Sequence, residues 1–148
     1  GGPRRMKRAG LLGIPQILVP ACVDFSVHHT TSIPDEFKDR PIYDHNPEFV
    51  LARCSKDEMS QLGAYFAECA NTSVGPTEIV IPGEGYSIPN VPGGVFWDRD
   101  ADATFETELM KNLKPEIAVE KLPLHANSKE FGIAVAQRFL SLISARIK

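Results

Sequence analysis

Five short stretches carry the residues best able to do chemistry. Gly1-Gly2-Pro3-Arg4-Arg5 sets two glycines and two guanidinium groups where a helix is predicted to start. Free N–H groups at a helix start favour an anion, and arginine adds bidentate reach to a phosphate. Asp24 ends the run Ala21-Cys22-Val23-Asp24, where a carboxylate can hold a ribose hydroxyl or a metal, or equally cap a turn. His45-Asn46-Pro47 and His125-Ala126-Asn127 place a histidine and an asparagine in turns. They can offer hydrogen bonds to a ligand or simply satisfy loop carbonyls. In Gly83-Glu84-Gly85-Tyr86-Ser87, two glycines let backbone approach a ligand closely, and Ser87 can donate to a phosphate or carboxylate. Gly1, Gly2, Arg4 and Arg5 are therefore the candidate anion contacts. Asp24 is the candidate partner of a sugar hydroxyl, and His45, Asn46, Gly85, Ser87 and His125 are the candidate cleft lining.

The same residues fail to complete better-defined devices. The glycines match neither a dinucleotide fingerprint nor a P-loop. Ser87 is followed by Ile88 and Pro89, not by the second half of a nucleophile elbow. The four histidines lie at no zinc spacing from one another or from a cysteine. No catalytic residue and no metal ligand is assigned. A histidine acid–base at His45 or His125, acting on a small phosphorylated or carboxylated metabolite, stays open as an enzymatic alternative.

These stretches need elements to position them. Helical and extended patterns alternate, which predicts an α/β fold, a Rossmann-like three-layer sandwich with a mostly parallel sheet. Strands are expected at 15–21, 78–82 and 117–124. Helices are expected at 4–12, from Ser55 to Asn71, from Asp98 to about 114, and from 128 to 147. Ser55 and Glu58 form a capping box, and Asn127 is the expected cap of the last helix. That helix is apolar over a wide arc and is expected to be well buried. Residues 26–47 read as one long polar loop, and 83–100 as a second. Ligands of open α/β sheets sit outside the carboxyl ends of the strands. The loops at 1–3, 21–29, 44–47, 83–87 and 125–127 are thus expected to meet at one edge. The chain opens at a helix start with no strand before it, which suggests one piece of a longer polypeptide.

Composition sets the outer limits. The chain has 148 residues, 43% hydrophobic and 24% charged, enough for one compact domain. A net charge of −3 gives no reason to expect a nucleic-acid or membrane-surface partner. No apolar run is long enough to span a bilayer, and the basic start makes a poor signal peptide. Cys22, Cys54 and Cys69 follow no pattern and are expected to be buried free thiols of a reducing, cytoplasmic compartment.

Taken in order, five segments also resemble one family. They are GGPRRMKRAGLLGIPQILVPACVD (1–24), IPDEFKDRPIYDHNPEFVLARCS (33–55), IPGEGYSI (81–88), GGVFWDRDADATF (93–105) and HANSKEF (125–131). Together they resemble the Tm-one-like ATP-binding domain family, which is named for a tomato mosaic virus resistance protein. Cys22 stands where that family's pattern has glycine, and Ala126 where it has isoleucine. The resemblance implies that this chain is the second of two Rossmann-like subdomains with a nucleotide site between them. ATP or another phosphate-bearing small molecule is the implied ligand, and the missing first subdomain the implied partner, with homo-oligomers in view. The family's namesake adds a third functional reading, a protein-interaction or inhibitor module.

Overall fold

The computed structural model describes residues 5–144. Two sheets organise them. Strands β1 (Gln16–Leu18), β5 (Thr77–Pro82) and β6 (Ala118–Leu122) form a parallel sheet in the order β1-β5-β6. Strands β2 (Phe25–His29), β3 (Ile42–Asp44) and β4 (Phe49–Arg53) form an antiparallel sheet in the order β2-β4-β3. Four helices complete the set: α1 (Arg8–Leu11), α2 (Lys56–Asn71), α3 (Arg99–Asn112) and α4 (Lys129–Ser144). The α/β class expected from the sequence is what forms, with an antiparallel sheet beside the parallel one.

β5 shows why the parallel sheet needs helices on both faces. Its alternation sends Ile79 and Ile81 into the main core with Phe66, Ala67 and Ala70 of α2 and Phe105 and Leu109 of α3. Phe105 meets Phe66 and Tyr86 edge-on, with ring centroids 5.8 and 5.7 Å apart. Val80 points the other way, to the face that α4 covers beside Ala134 and Arg138. Helix, sheet and helix make three layers.

The caps are local and mostly as expected. Ser55 accepts from the Glu58 N–H while the Glu58 carboxylate accepts from the Ser55 N–H. Asp98 accepts from the Ala101 N–H at 3.0 Å and starts α3. At α4 the structure corrects the expectation, because Ser128 Oγ accepts from the Phe131 N–H while the Asn127 N–H goes to His125. Three further expectations change. The long polar segment 26–47 supplies two strands of the antiparallel sheet, which flank the central strand β4, where Val50, Leu51 and Ala52 are buried in succession. Its strands carry polar residues because one face stays in solvent. α4 is not well buried: Phe131 is its single buried residue among those described, and Ile133, Phe139 and Leu140 are exposed. Cys22 is exposed rather than buried, in left-handed backbone with φ +57°. That conformation favours glycine, which accounts for the glycine in the resembling pattern.

Candidate functional site

The loops leaving all three parallel strands are laced together at the sheet's carboxyl edge. After β1, the Cys22 N–H donates to Tyr86 O at 2.8 Å. After β5, the Glu84 N–H donates to Leu124 O at 3.2 Å, and after β6 the Ala126 N–H donates to Gly85 O at 3.1 Å. The crossing is tight at Gly85, where a Cβ would lie 1.9 Å from Asn90 O and where φ is +128°. The α3 N-terminus is tied to the same edge by Arg99, which donates to Gly83 O at 2.9 Å.

Beneath these loops lies a buried polar cluster. Ser87 Oγ donates to Asp24 Oδ2 at 2.7 Å, and Asn90 Nδ2 donates to the same oxygen at 3.1 Å. Asn90 Nδ2 also reaches Asp102 Oδ2 at 3.1 Å. Arg53 closes the set from the end of β4. It donates to Asp102 Oδ1 (2.6 Å), Asp24 O (2.9 Å), Phe96 O (3.0 Å) and Asp98 O (3.4 Å). Asp24, Arg53, Ser87, Asn90 and Asp102 are each at most 3% exposed. The guanidinium fork therefore joins β4, the β1 exit, the 83–98 loop and the first turn of α3.

Two opposing effects act on Asp102. Burial, the larger, raises its carboxyl above the usual range, while the Arg53 charge and the Asn90 hydrogen bond lower it. Two acceptors in the cluster, Asp24 Oδ1 and Asn90 Oδ1, are buried without a donor. Tyr86 is likewise pushed upward, by burial first and by Glu106 and Asp102 next, and its hydroxyl donates to Glu106 at 3.1 Å.

An open cleft of about 580 Å³ adjoins the cluster. Arg53, Ser55, Phe96, Trp97, Asp98 and Arg99 are among its walls. The N-caps of both α2 and α3 face it, and its size suits a small-molecule ligand. Phe96 roofs the antiparallel sheet, its ring 6.2 Å from Phe25 and 6.3 Å from Tyr43. The Arg99 guanidinium lies 5.0 Å over the Trp97 ring and makes no ion pair among the described residues. Among those residues no group of three or more histidines, cysteines or carboxylates is placed to hold a metal.

The residues singled out in the sequence divide into three groups. Asp24, Gly85, Ser87 and His125 come together. His125 Nδ1 accepts from the Asn127 N–H at 3.1 Å, which places the ring hydrogen on Nε2, facing Ser87 O at 3.0 Å. His45 and Asn46 sit elsewhere, on the tip of the β3–β4 hairpin. Asn46 Oδ1 there accepts from the Glu48 and Phe49 N–H groups at 2.9 and 2.8 Å. Arg53 is at the opposite end of β4, roughly 13 Å away at the usual strand rise. Arg5 is exposed ahead of α1, and Gly1, Gly2 and Arg4 lie outside the described residues.

Arg53, Asn90, Asp102 and Arg99 were not singled out. One of them had a signal: Asp102 is in helical register with Phe105 and Leu109, so a carboxylate sits on the buried stripe of α3. Such a group needs a buried partner.

Parallel strands between helix layers, with loops gathered over the carboxyl edge, define the Rossmann-like class of α/β domain. Within that class the chain belongs to the Uncharacterised protein family (UPF0261), whose C-terminal domain matches residues 1–143. It is 29% identical to a UPF0261 protein of Clostridium tetani over 96% of this chain and 36% of that protein. It is 36% identical to a UPF0261 protein of Mesorhizobium japonicum over 72% of this chain and 27% of that protein. It is 31% identical to the ToMV resistance protein Tm-1 of Solanum lycopersicum over 87% of this chain and 18% of that protein. The chain thus spans about a third or less of the length of these relatives.

Proposed function

We propose that this domain supplies one wall of a binding site for ATP or another phosphate-bearing small molecule, completed by the rest of the polypeptide. One observation carries this reading: the exits of β1, β5 and β6 are hydrogen-bonded to one another at the carboxyl edge. Ligands of open α/β sheets bind there. The cleft beside that edge offers the Arg99 guanidinium and the face of Trp97. These two groups suit an anion and a flat ring respectively. Gly1, Gly2, Arg4 and Arg5 are proposed to meet the phosphate, as the likeness to the Tm-one-like ATP-binding domains suggests. The buried cluster is the platform that holds these walls, with Asp24 and Ser87 as positioning groups rather than contacts. His125 uses both ring nitrogens on loop backbone, which disfavours it as an acid–base.

The test is titration calorimetry of the full-length polypeptide with ATP and, separately, inorganic phosphate. ATP is expected to bind with a Kd of about 1 mM or tighter. Changing Arg5 and Arg99 together to Ala should weaken it by roughly tenfold or more, the value of a lost charge-assisted contact. No heat with ATP, or unchanged affinity in the double variant, would sink the reading.

A further inference from the structure

One charge in the buried cluster lacks a counter-charge. Asp24, Asp102 and Arg53 are all buried, so two carboxylates share one guanidinium. Arg53 pairs with Asp102 at 2.6 Å. It meets Asp24 only through the main-chain carbonyl, at 2.9 Å. The Asp24 carboxylate is in no ion pair among the described residues. Its donors are neutral, the Ser87 hydroxyl at 2.7 Å and the Asn90 amide at 3.1 Å, and both reach Oδ2. Buried charges are normally paired with an opposite charge or coordinate a metal ion.

Two oxygens beside that charge are open. Asp24 Oδ1 and Asn90 Oδ1 are buried without a donor, and both residues are 0% exposed. The Asn90 amide cannot turn over to supply one. Its Nδ2 meets Asp24 Oδ2 and Asp102 Oδ2, each at 3.1 Å, so both its hydrogens are engaged. The flipped amide would set Oδ1 against carboxylate oxygens instead. The bond from Asn90 to Asp24 also holds the two side chains together. A water can donate to both open oxygens, but it brings no charge.

We propose that the Asp24–Asn90 pair binds a monovalent alkali cation, with Asp24 Oδ1 as its charged ligand and Asn90 Oδ1 as a neutral one. The class of ion follows from the oxygens and the charge. Carboxylate and amide oxygens are hard ligands, which do not select soft metals. The excess is one negative charge, which a monovalent ion cancels and a divalent ion exceeds. Divalent cages also gather several carboxylates, and among the described residues no group of three or more carboxylates, histidines or cysteines is placed to hold a metal. The ion ties the β1 exit, through Asp24, to the 83–98 loop, through Asn90. The site stands apart from the ligand cleft, whose walls include neither residue.

Amide exchange of the purified full-length polypeptide tests the site. It is followed by mass spectrometry in sodium, potassium and choline chloride at one ionic strength, so that screening is equal. The Asn90 N–H donates to Ser87 O at 2.9 Å and reports on the 87–90 turn. With sodium or potassium at ten times its dissociation constant, opening there should be about tenfold rarer than in choline. Asp24→Asn keeps the side-chain shape, removes the charge, and should exchange equally in all three salts. A crystal grown with thallium(I), a heavy stand-in for potassium, should show an anomalous peak in contact with Asp24 Oδ1 and Asn90 Oδ1. Equal exchange of the unsubstituted protein in the three salts overturns the proposal, because neither a water nor a proton on Asp24 tells potassium from choline. A salt-specific effect that survives in Asp24→Asn overturns it as well. A thallium peak without an exchange effect marks an adventitious ion only, and an exchange effect without that peak places the ion elsewhere; either result overturns the proposal. Where Asp24→Asn fails to fold, the unsubstituted protein and the thallium peak decide.

Discussion

Arg53 holds more of the molecule than any other side chain described. Its guanidinium donates to four acceptors drawn from two loops and α3. Replacing it with Met leaves the buried Asp102 carboxylate with Asn90 Nδ2 in place of its ion pair, and takes from the Phe96 carbonyl the Arg53 donor. A loss of about 3–5 kcal/mol is expected, because removing one member of a buried ion pair strands the other. Arg53→Lys should recover little of it, since an ammonium cannot reproduce the planar fork. Urea unfolding of the three proteins gives both numbers. The same cluster predicts a pH dependence. Burial raises the Asp102 carboxyl, outweighing Arg53, so the folded state binds that proton more readily than the unfolded one. The Asp102 contribution is then full below the ordinary carboxylate range and is lost as pH rises through its raised value. Urea midpoints measured across that range should show a downward contribution with rising pH that Asp102→Asn removes. The sequence made part of this site legible. Asp24, Gly85, Ser87 and His125 were named from chain position, as residues just past a strand. Arg53 and Asn90 were not, because their roles depend on partners 29 to 49 and 12 to 66 positions away in the chain.

At the scale of elements, the tightest joint is between α2 and α3. Gly63 stands where the helices cross, and a Cβ there would lie 2.3 Å from Phe105 O and 3.1 Å from Leu109 N. The obstacle is backbone, so it cannot rotate aside. Gly63→Ala gains helix propensity, worth about 1 kcal/mol, yet must push two helices apart, costing typically 1–3 kcal/mol or more. A net loss of stability is expected, seen as a lower urea midpoint with α2 still helical by circular dichroism. A rise in midpoint would show that α3 moves freely over α2. The elements best read from sequence are those with strong local signals. α2 has a capping box and a helical stripe, α3 an aspartate cap, and β5 a β-branched run. The antiparallel sheet was hidden. In β2 the sequence Phe-Ser-Val-His-His is mostly polar, since the strand needs one apolar face only, and its pairing with β4 is set across the intervening chain. Turn chemistry at Asp44-His45-Asn46-Pro47 marked the hairpin without revealing the strands on either side. The sequence overstates the burial of α4 for the converse reason: an apolar arc states what a helix needs, not whether this stretch of chain supplies it.

For the whole molecule, the three cysteines report how far each layer opens. Cys22 is exposed on the β1 exit, Cys54 is half-buried where β4 meets α2, and Cys69 is fully buried in α2. Burial raises the Cys22 thiol, with Asp24 adding to it, and pushes Cys54 up to about 11 by burial and then by Glu58. The thiolate is the reacting form, so at pH 8 roughly one Cys54 in a thousand is reactive at any moment. A disulfide reagent should therefore label Cys22 first. Cys54 should follow at least about tenfold more slowly, and Cys69 should wait for opening of the α2 layer. Peptide mapping after timed quenching separates the three sites. Labelling of Cys69 as fast as Cys22 would mean that α2 is not held on the sheet. The same measurement on the full-length polypeptide isolates what the remaining chain contributes. If the added chain stabilises the fold, Cys69 slows by the exponential of the stability gained over RT, whereas Cys22, on the carboxyl edge, slows only if that edge is covered. The two cysteines thus separate a gain in overall stability from cover over the ligand edge in one protein.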